Sequence, residues 1–238
     1  MAFRTEVSSF VQSIPDDLWQ IHPMTQPAWL KYFKELKSDH TFLSWLVMYF
    51  NPNTMVFRFE DFEVTPTYEE MCAMMGHHPK QDETPALRLG PRYDLTEVAA
   101  LCPVYLPDGI DPDQGLPLEP FLTRVLPMDA NPSWVRACCF LLLNMYALKN
   151  RQPGVGDFRL LTVVRDMQVY HCTVFMMIMG ETMCWIRDIA LRVTNFNVHH
   201  RGCPMLLQAW VLDKLSLIPP VPARLIPTYG PANFLPRS

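Results

Sequence analysis

Apolar positions along much of this chain keep a helical spacing and shorten to a strand period once. Between the prolines at 15, 23 and 27 and the polar pair Ser38-Asp39, the residues Trp29, Leu30, Phe33 and Leu36 fall on one face of a short helix. Ser38-Asp39 is a start signal, and the apolar group Phe42, Leu43, Trp45, Leu46 and Tyr49 predicts a second helix that runs to the turn Asn51-Pro52-Asn53. The period then shortens. Met55 to Phe59 and Phe62 to Val64 are aromatic and β-branched, flank the acidic pair Glu60-Asp61, and predict a small antiparallel hairpin near 55–64. Thr67 stands three residues before Glu70, which predicts a reciprocal cap at the start of a third helix, and Gly76 supplies the left-handed residue that ends it.

From His77 to Pro132 the chain is rich in Pro, Asp and Gly, with a short helix expected over Leu95 to Leu101 and loops through Pro107-Asp108-Gly109 and Asp111-Pro112-Asp113. Val135 to Leu148 is apolar on most faces, as in a helix at the centre of a bundle. Asn150 to Gly156 interrupts it. Phe158 to Val193 predicts two helices, or one kinked near Gly180. The last helix starts at Cys203-Pro204, where proline suits the first helical turn, and carries Leu207, Trp210, Val211 and Leu215 on one stripe. Six prolines between Pro219 and Ser238 predict an extended tail, lying on the body or free, that reads as a linker to further chain.

The expected fold is therefore mainly α, one helical domain over 25–218 with the hairpin near 55–64, preceded by an arm over 1–24 and followed by the tail over 219–238. A chain of 238 residues is long enough for one substantial core. With 49% hydrophobic and 18% charged residues it falls outside the disordered class. A net charge of −4 argues against a dense phosphate-binding surface. Arg187, Arg192 and Arg201, with Asp188 among them, read as solvated helix edges, and a weak nucleic-acid contact is the alternative.

Seven cysteines in no regular framework, and an amino terminus with Arg4 and Glu6 in place of an apolar signal core, point to reduced thiols inside the cell. Val169 to Met179 is about half the roughly 20 residues that cross a bilayer, so a membrane is not expected as a partner.

Two segments resemble a known family. Phe57-Arg58-Phe59, then Phe62-Glu63-Val64-Thr65-Pro66-Thr67-Tyr68-Glu69-Glu70, closing on Met74-Met75-Gly76, are similar to the aromatic hairpin, Thr-Pro-Thr cap and Leu-Gly helix end of the plant mobile domain. Gly202-Cys203-Pro204-Met205-Leu206-Leu207-Gln208-Ala209-Trp210 is similar to the Gly-x-Pro-Leu-Leu-Leu-Gln-x-Trp of that family's late helix. The resemblance spans most of 25–218, leaving Gln81 to Asp129 without a counterpart. Maintenance-of-meristems proteins of flowering plants and many retrotransposon-associated reading frames carry this domain. It implies a nuclear, transposon-derived interaction module in silencing or genome upkeep, with protein partners and no cofactor. The label aminotransferase-like, common in the family, brings no active site with it. The matched residues Thr65, Pro66, Thr67, Glu70, Gly76, Gly202, Pro204, Gln208 and Trp210 are those of caps, turns and core.

No catalytic motif stands out. A pyridoxal enzyme needs a lysine, a pyridine-binding acid and a phosphate cup, and Lys149 and Lys214 have no such surroundings in sequence. Cys72 with His77 and His78, and His199 and His200 with Cys203, are of the type zinc takes, and four of them, Cys72, His77, His199 and Cys203, are the candidate metal set. The spacings are not those of common zinc motifs, and the plainer reading makes both cysteines small core residues and the histidines turn residues. His171-Cys172 are helix neighbours whose side chains diverge, Cys138-Cys139 lie in an apolar helix, and Asp108, Asp111 and Asp113 lack a calcium loop's closing glutamate. The fifteen methionines, Met74-Met75 and Met176-Met177 among them, read as core filling ahead of a partner groove. The reading is a non-enzymatic interaction module. The alternatives are a metal-assisted hydrolase or nuclease remnant of a mobile element, and a weak nucleic-acid binder.

Overall fold

Val7, Phe10, Val11 and Ile14 recur at the spacing of one helical stripe, and in the computed structural model all four are buried, the first three along helix α1, Ala2–Ser13, and Ile14 just past its end. The structure describes residues 2–32, 38–60, 62–76, 100, 102, 114–127, 131–148, 154–169, 173–196 and 201–215. The expected arm over 1–24 thus contains a helix whose apolar face joins the same buried cluster as the rest of the chain. Gln26, itself buried, fastens the segment after α1 to the body of the fold. Its amide donates to the Met167 carbonyl (3.0 Å) and its oxygen accepts from the Val174 N–H (3.4 Å).

The segment over Trp29 begins as a 3-10 turn, Ala28–Tyr32. Asp39 caps α2, His40–Val47, by accepting from the Thr41 and Phe42 amides at 2.8 and 3.2 Å. Leu43 and Leu46 face inward. The helix stops earlier than its apolar pattern, because Phe50 leaves it to pair in strand β1, Phe50–Asn51. Asn51 then turns the chain with its own side chain, accepting from the Asn53 and Thr54 amides. Strands β2, Val56–Arg58, and β3, Glu63–Val64, complete an antiparallel sheet in the order β1-β2-β3, with Phe57 opposite both Phe50 and Val64. The expected hairpin is present, with one more strand on its edge.

Helix α3, Tyr68–Met74, carries the reciprocal cap: the Glu70 amide donates to Thr67 Oγ1 (3.2 Å) and the Thr67 amide to Glu70 Oε2 (3.3 Å). Gly76 comes next at φ +71°, the left-handed ending its position predicts. A second pair of short strands, β4 Leu116–Pro117 and β5 Val155–Gly156, brackets α4, Leu118–Val125, and α5, Pro132–Leu142. Helix α5 is buried on nearly every face, as its unbroken apolar run predicts, and widens at its end into a π-helical turn, Leu143–Ala147. There Asn144 accepts from the Asp157 amide (2.6 Å) and donates to the Phe140 carbonyl (2.9 Å), so β5 is held against α5.

The long segment resolves into α6, Leu160–Val169, and α7, Thr173–Ala190. Helix α7 runs without a break through Gly180. That glycine lies on the exposed side of α7, where an uninterrupted inner stripe of Val174, Phe175, Ile178, Trp185 and Ile186 carries the helix through it. Helix α8, Pro204–Lys214, buries Leu206, Leu207, Trp210 and Val211 against α2 and α3. Among the described residues, no helix is long and apolar enough to cross a membrane. The helix expected over Leu95 to Leu101, the loops at Asp108 to Asp113, and the tail over 219–238 lie outside the described residues, save Ala100 in a helical conformation.

Candidate functional site

The two family-like segments, about 130 residues apart in sequence, meet at one corner of the fold. Trp210 and Lys214 are one turn apart on α8, and both reach Glu70 in the first turn of α3. The indole N–H donates to Glu70 Oε2 (2.9 Å) and the Lys214 ammonium pairs with Glu70 Oε1. One carboxylate therefore closes its own helix cap and ties α3 to α8. Desolvation pushes the neighbouring Asp213 carboxyl above its usual range, opposed by Lys214 and reinforced by the negative charge of Glu70. The indole ring rests against Phe57 of β2, with centroids 6.0 Å apart.

The remaining motif residues brace the same corner. Gln208 Oε1 accepts from the Asp39 amide (2.7 Å), which binds α8 to the start of α2. The Thr65 hydroxyl donates to the Met55 carbonyl (3.0 Å), Pro66 is buried, and Pro204 occupies the first turn of α8. Gly202, at φ +60°, lies so close to α7 that a Cβ would stand 2.3 Å from the Thr182 nitrogen. The next amide, of Cys203, donates to the Thr182 hydroxyl (2.8 Å), which itself donates to the Ile178 carbonyl (2.6 Å). On the outer side of this junction Arg201 bridges Glu181 and Asp188, each at 3.0 Å. Arg187 and Arg192 are exposed near the end of α7.

The candidate metal set divides. Cys72 and Cys203 are fully buried in the core, whereas His77 and His199 lie outside the described residues, as do His78 and His200. Among the described residues no three potential ligands of the Cys, His, Asp or Glu type converge. Cys138 and Cys139 are buried in α5 beside Cys102, and burial pushes all three thiols up, Cys102 to about 12. Such thiols are neutral and poorly nucleophilic. Lys214 is engaged with Glu70, and Lys149, His171 and Cys172 lie outside the described residues.

The structure brings together a feature that the sequence pattern alone did not assemble. Phe42 and Trp45 on the outer side of α2, Tyr49 at its end, and Phe59 and Phe62 beyond β2 form a continuous chain of rings. Successive centroids are 5.6, 4.9, 5.0 and 5.2 Å apart, and Tyr49 and Phe59 are stacked. These rings are partly exposed, Phe62 to 46%, and Met48 beside them to 73%. The signal available in sequence was the 42-45-49 spacing, a stripe that flanks the buried Leu43 and Leu46.

No family model, no curated protein and no solved structure matches the chain.

Proposed function

We propose that the chain is a non-enzymatic, transposon-derived interaction module related to the plant mobile domain, acting in the plant nucleus in silencing or genome maintenance, with the aromatic strip as its docking face. The observation that carries this reading is the division of labour between two sets of residues. The motif residues Thr67, Glu70, Gly202, Gln208 and Trp210 are engaged with one another and with the backbone, so the resemblance lies in scaffold. The strip from Phe42 to Phe62 is engaged on one side only.

Partly exposed aromatic rings in mutual contact are the side chains that protein interfaces favour at their centres, because each buries a large area at low entropic cost. Acidic Glu60 and Glu63 lie next to the strip, which favours a protein partner over a phosphate backbone. Affinity capture from plant nuclear extract with the wild-type chain and with a Trp45→Ala, Phe59→Ala variant tests the reading. A partner retained by the first and lost about tenfold by the second is the expected result. If nothing captured depends on the strip, the reading fails.

A further inference from the structure

The outer face of an amphipathic helix ordinarily carries charged side chains, and that of α7 does not. Along α7 and the turn that closes it the exposed positions are Met176, Gly180, Cys184, Arg187 and Leu191, with Met177, Glu181 and Asp188 half-buried beside them. From Met177 through Gly180, Cys184 and Arg187 to Leu191 the steps alternate between three and four residues, the seam along which two helices pack side by side. We propose that this face pairs with the same face of a second copy of the chain, the two α7 helices running antiparallel about a two-fold axis at Cys184. The contact is separate from the aromatic strip, and three observations select a second copy as its occupant.

The first is self-complementarity. A two-fold contact sets each residue level with the one equally far from the axis on the other side. Met177 and Leu191 each stand seven residues from Cys184, and Glu181 and Arg187 each stand three, so apolar meets apolar and acid meets base. Arg201 binds Glu181 through Oε2 alone, which leaves Oε1 to accept from Arg187 of the second copy. Arg187 has no ion-pair partner of its own among the described residues.

The second is room. Gly180 is exposed near the middle of the seam, and a Cβ there would meet nothing within 4 Å. The bare backbone lets a second helix approach closely and leaves space for the long Arg187 side chain beside it.

The third is the end of the helix. The Arg192 and Val193 amides donate to the Ile189 and Asp188 carbonyls, both at 2.9 Å, with Arg192 at φ +59°, where glycine is usual. The residue after such a turn normally packs back on its helix, yet Val193 is 73% exposed, beside Leu191 at 44%. Antiparallel pairing lays this bare apolar end over Met176 and Met177 of the second copy.

One helix face is a small interface, so association is expected in the micromolar range. Light scattering on the full chain at rising concentration should show the mass climbing from one copy to two. Arg187→Glu, which sets acid against acid, and Gly180→Gln, which puts a long polar side chain into the seam, should each weaken the dimer by at least about tenfold. Both positions are exposed, and an unchanged circular dichroism spectrum checks that each variant folds. A short bis-maleimide should join two copies through Cys184, and Cys184→Ser should abolish the link. A single-copy mass at every concentration overturns the inference, as does a dimer indifferent to both variants. If instead Gly180→Gln releases a different protein that the monomeric wild type captures, the face belongs to that protein and the second copy is overturned. A dimer that Trp45→Ala, Phe59→Ala dissolves and the α7 variants do not overturns it too, because the strip would then be the self-contact. A dimer that survives Trp45→Ala, Phe59→Ala while partner capture is lost supports two separate faces.

Discussion

Glu70 has three tasks at once, and its substitutions separate them. Glu70→Ala removes half of the cap on α3, the acceptor of the Trp210 indole and the partner of Lys214, and is expected to cost about 2 kcal/mol. Glu70→Gln keeps an oxygen for the cap and the indole and loses only a partly screened ion pair, for less than about 1 kcal/mol. Urea unfolding monitored by tryptophan fluorescence measures both, and equal losses would show that the charge dominates. Two glycines make a second contrast. At Gly202 a Cβ meets the backbone of Thr182 and φ is positive, so Gly202→Ala is expected to destabilise by about 2 kcal/mol or more. At Gly180 a Cβ meets nothing within 4 Å in a helix interior, so Gly180→Ala is expected to stabilise by up to about 1 kcal/mol. Opposite shifts in melting temperature check the pair.

Helix α8 is tied to the start of α2 by the Gln208 side chain. Gln208→Ala frees the Asp39 amide, and faster hydrogen exchange in the first turn of α2, for a loss of about 1 kcal/mol, is the expected result. The ends of α3 and α8 were legible in sequence because a Thr-x-x-Glu cap, a closing glycine and a leading proline act locally, through groups a few residues apart. Strand β1 was not, since two residues of ladder are set by the partner Phe57 and carry almost no pattern of their own. Of the two readings of 158–193, two helices is the one found, and Gly180 stays inside the second because its local preference to break a helix is smaller than the burial gained by the stripe that passes beneath it. Helix α1 has its stripe in plain view, but its buried face acquires meaning only from the core it joins.

At the level of the molecule, α1, the sheet and α3 to α8 contribute to one buried cluster, so the chain is expected to unfold as a unit. Phe10→Ala, at the buried face of α1, should then lower the midpoint seen by fluorescence and by circular dichroism together, by about 3 kcal/mol. The buried thiols add a pH dependence. Cys102, Cys138 and Cys139 keep their protons in the folded state well above the ordinary value of 9.0, and Tyr146 is pushed up to about 12. The unfolded chain ionises first, so stability is full below pH 9 and falls as pH rises from 9 toward 12. Denaturant midpoints at pH 8 and 10 check the sign, and a flat profile would mean that the thiols reach solvent. By itself the sequence determined the helical class, the hairpin and the caps, because periodicity and capping act over a few residues. Only the tertiary structure decided that Glu70 meets Trp210 and Lys214 and that five rings form one strip, because those contacts join residues whose separation along the chain bears no relation to their distance in space.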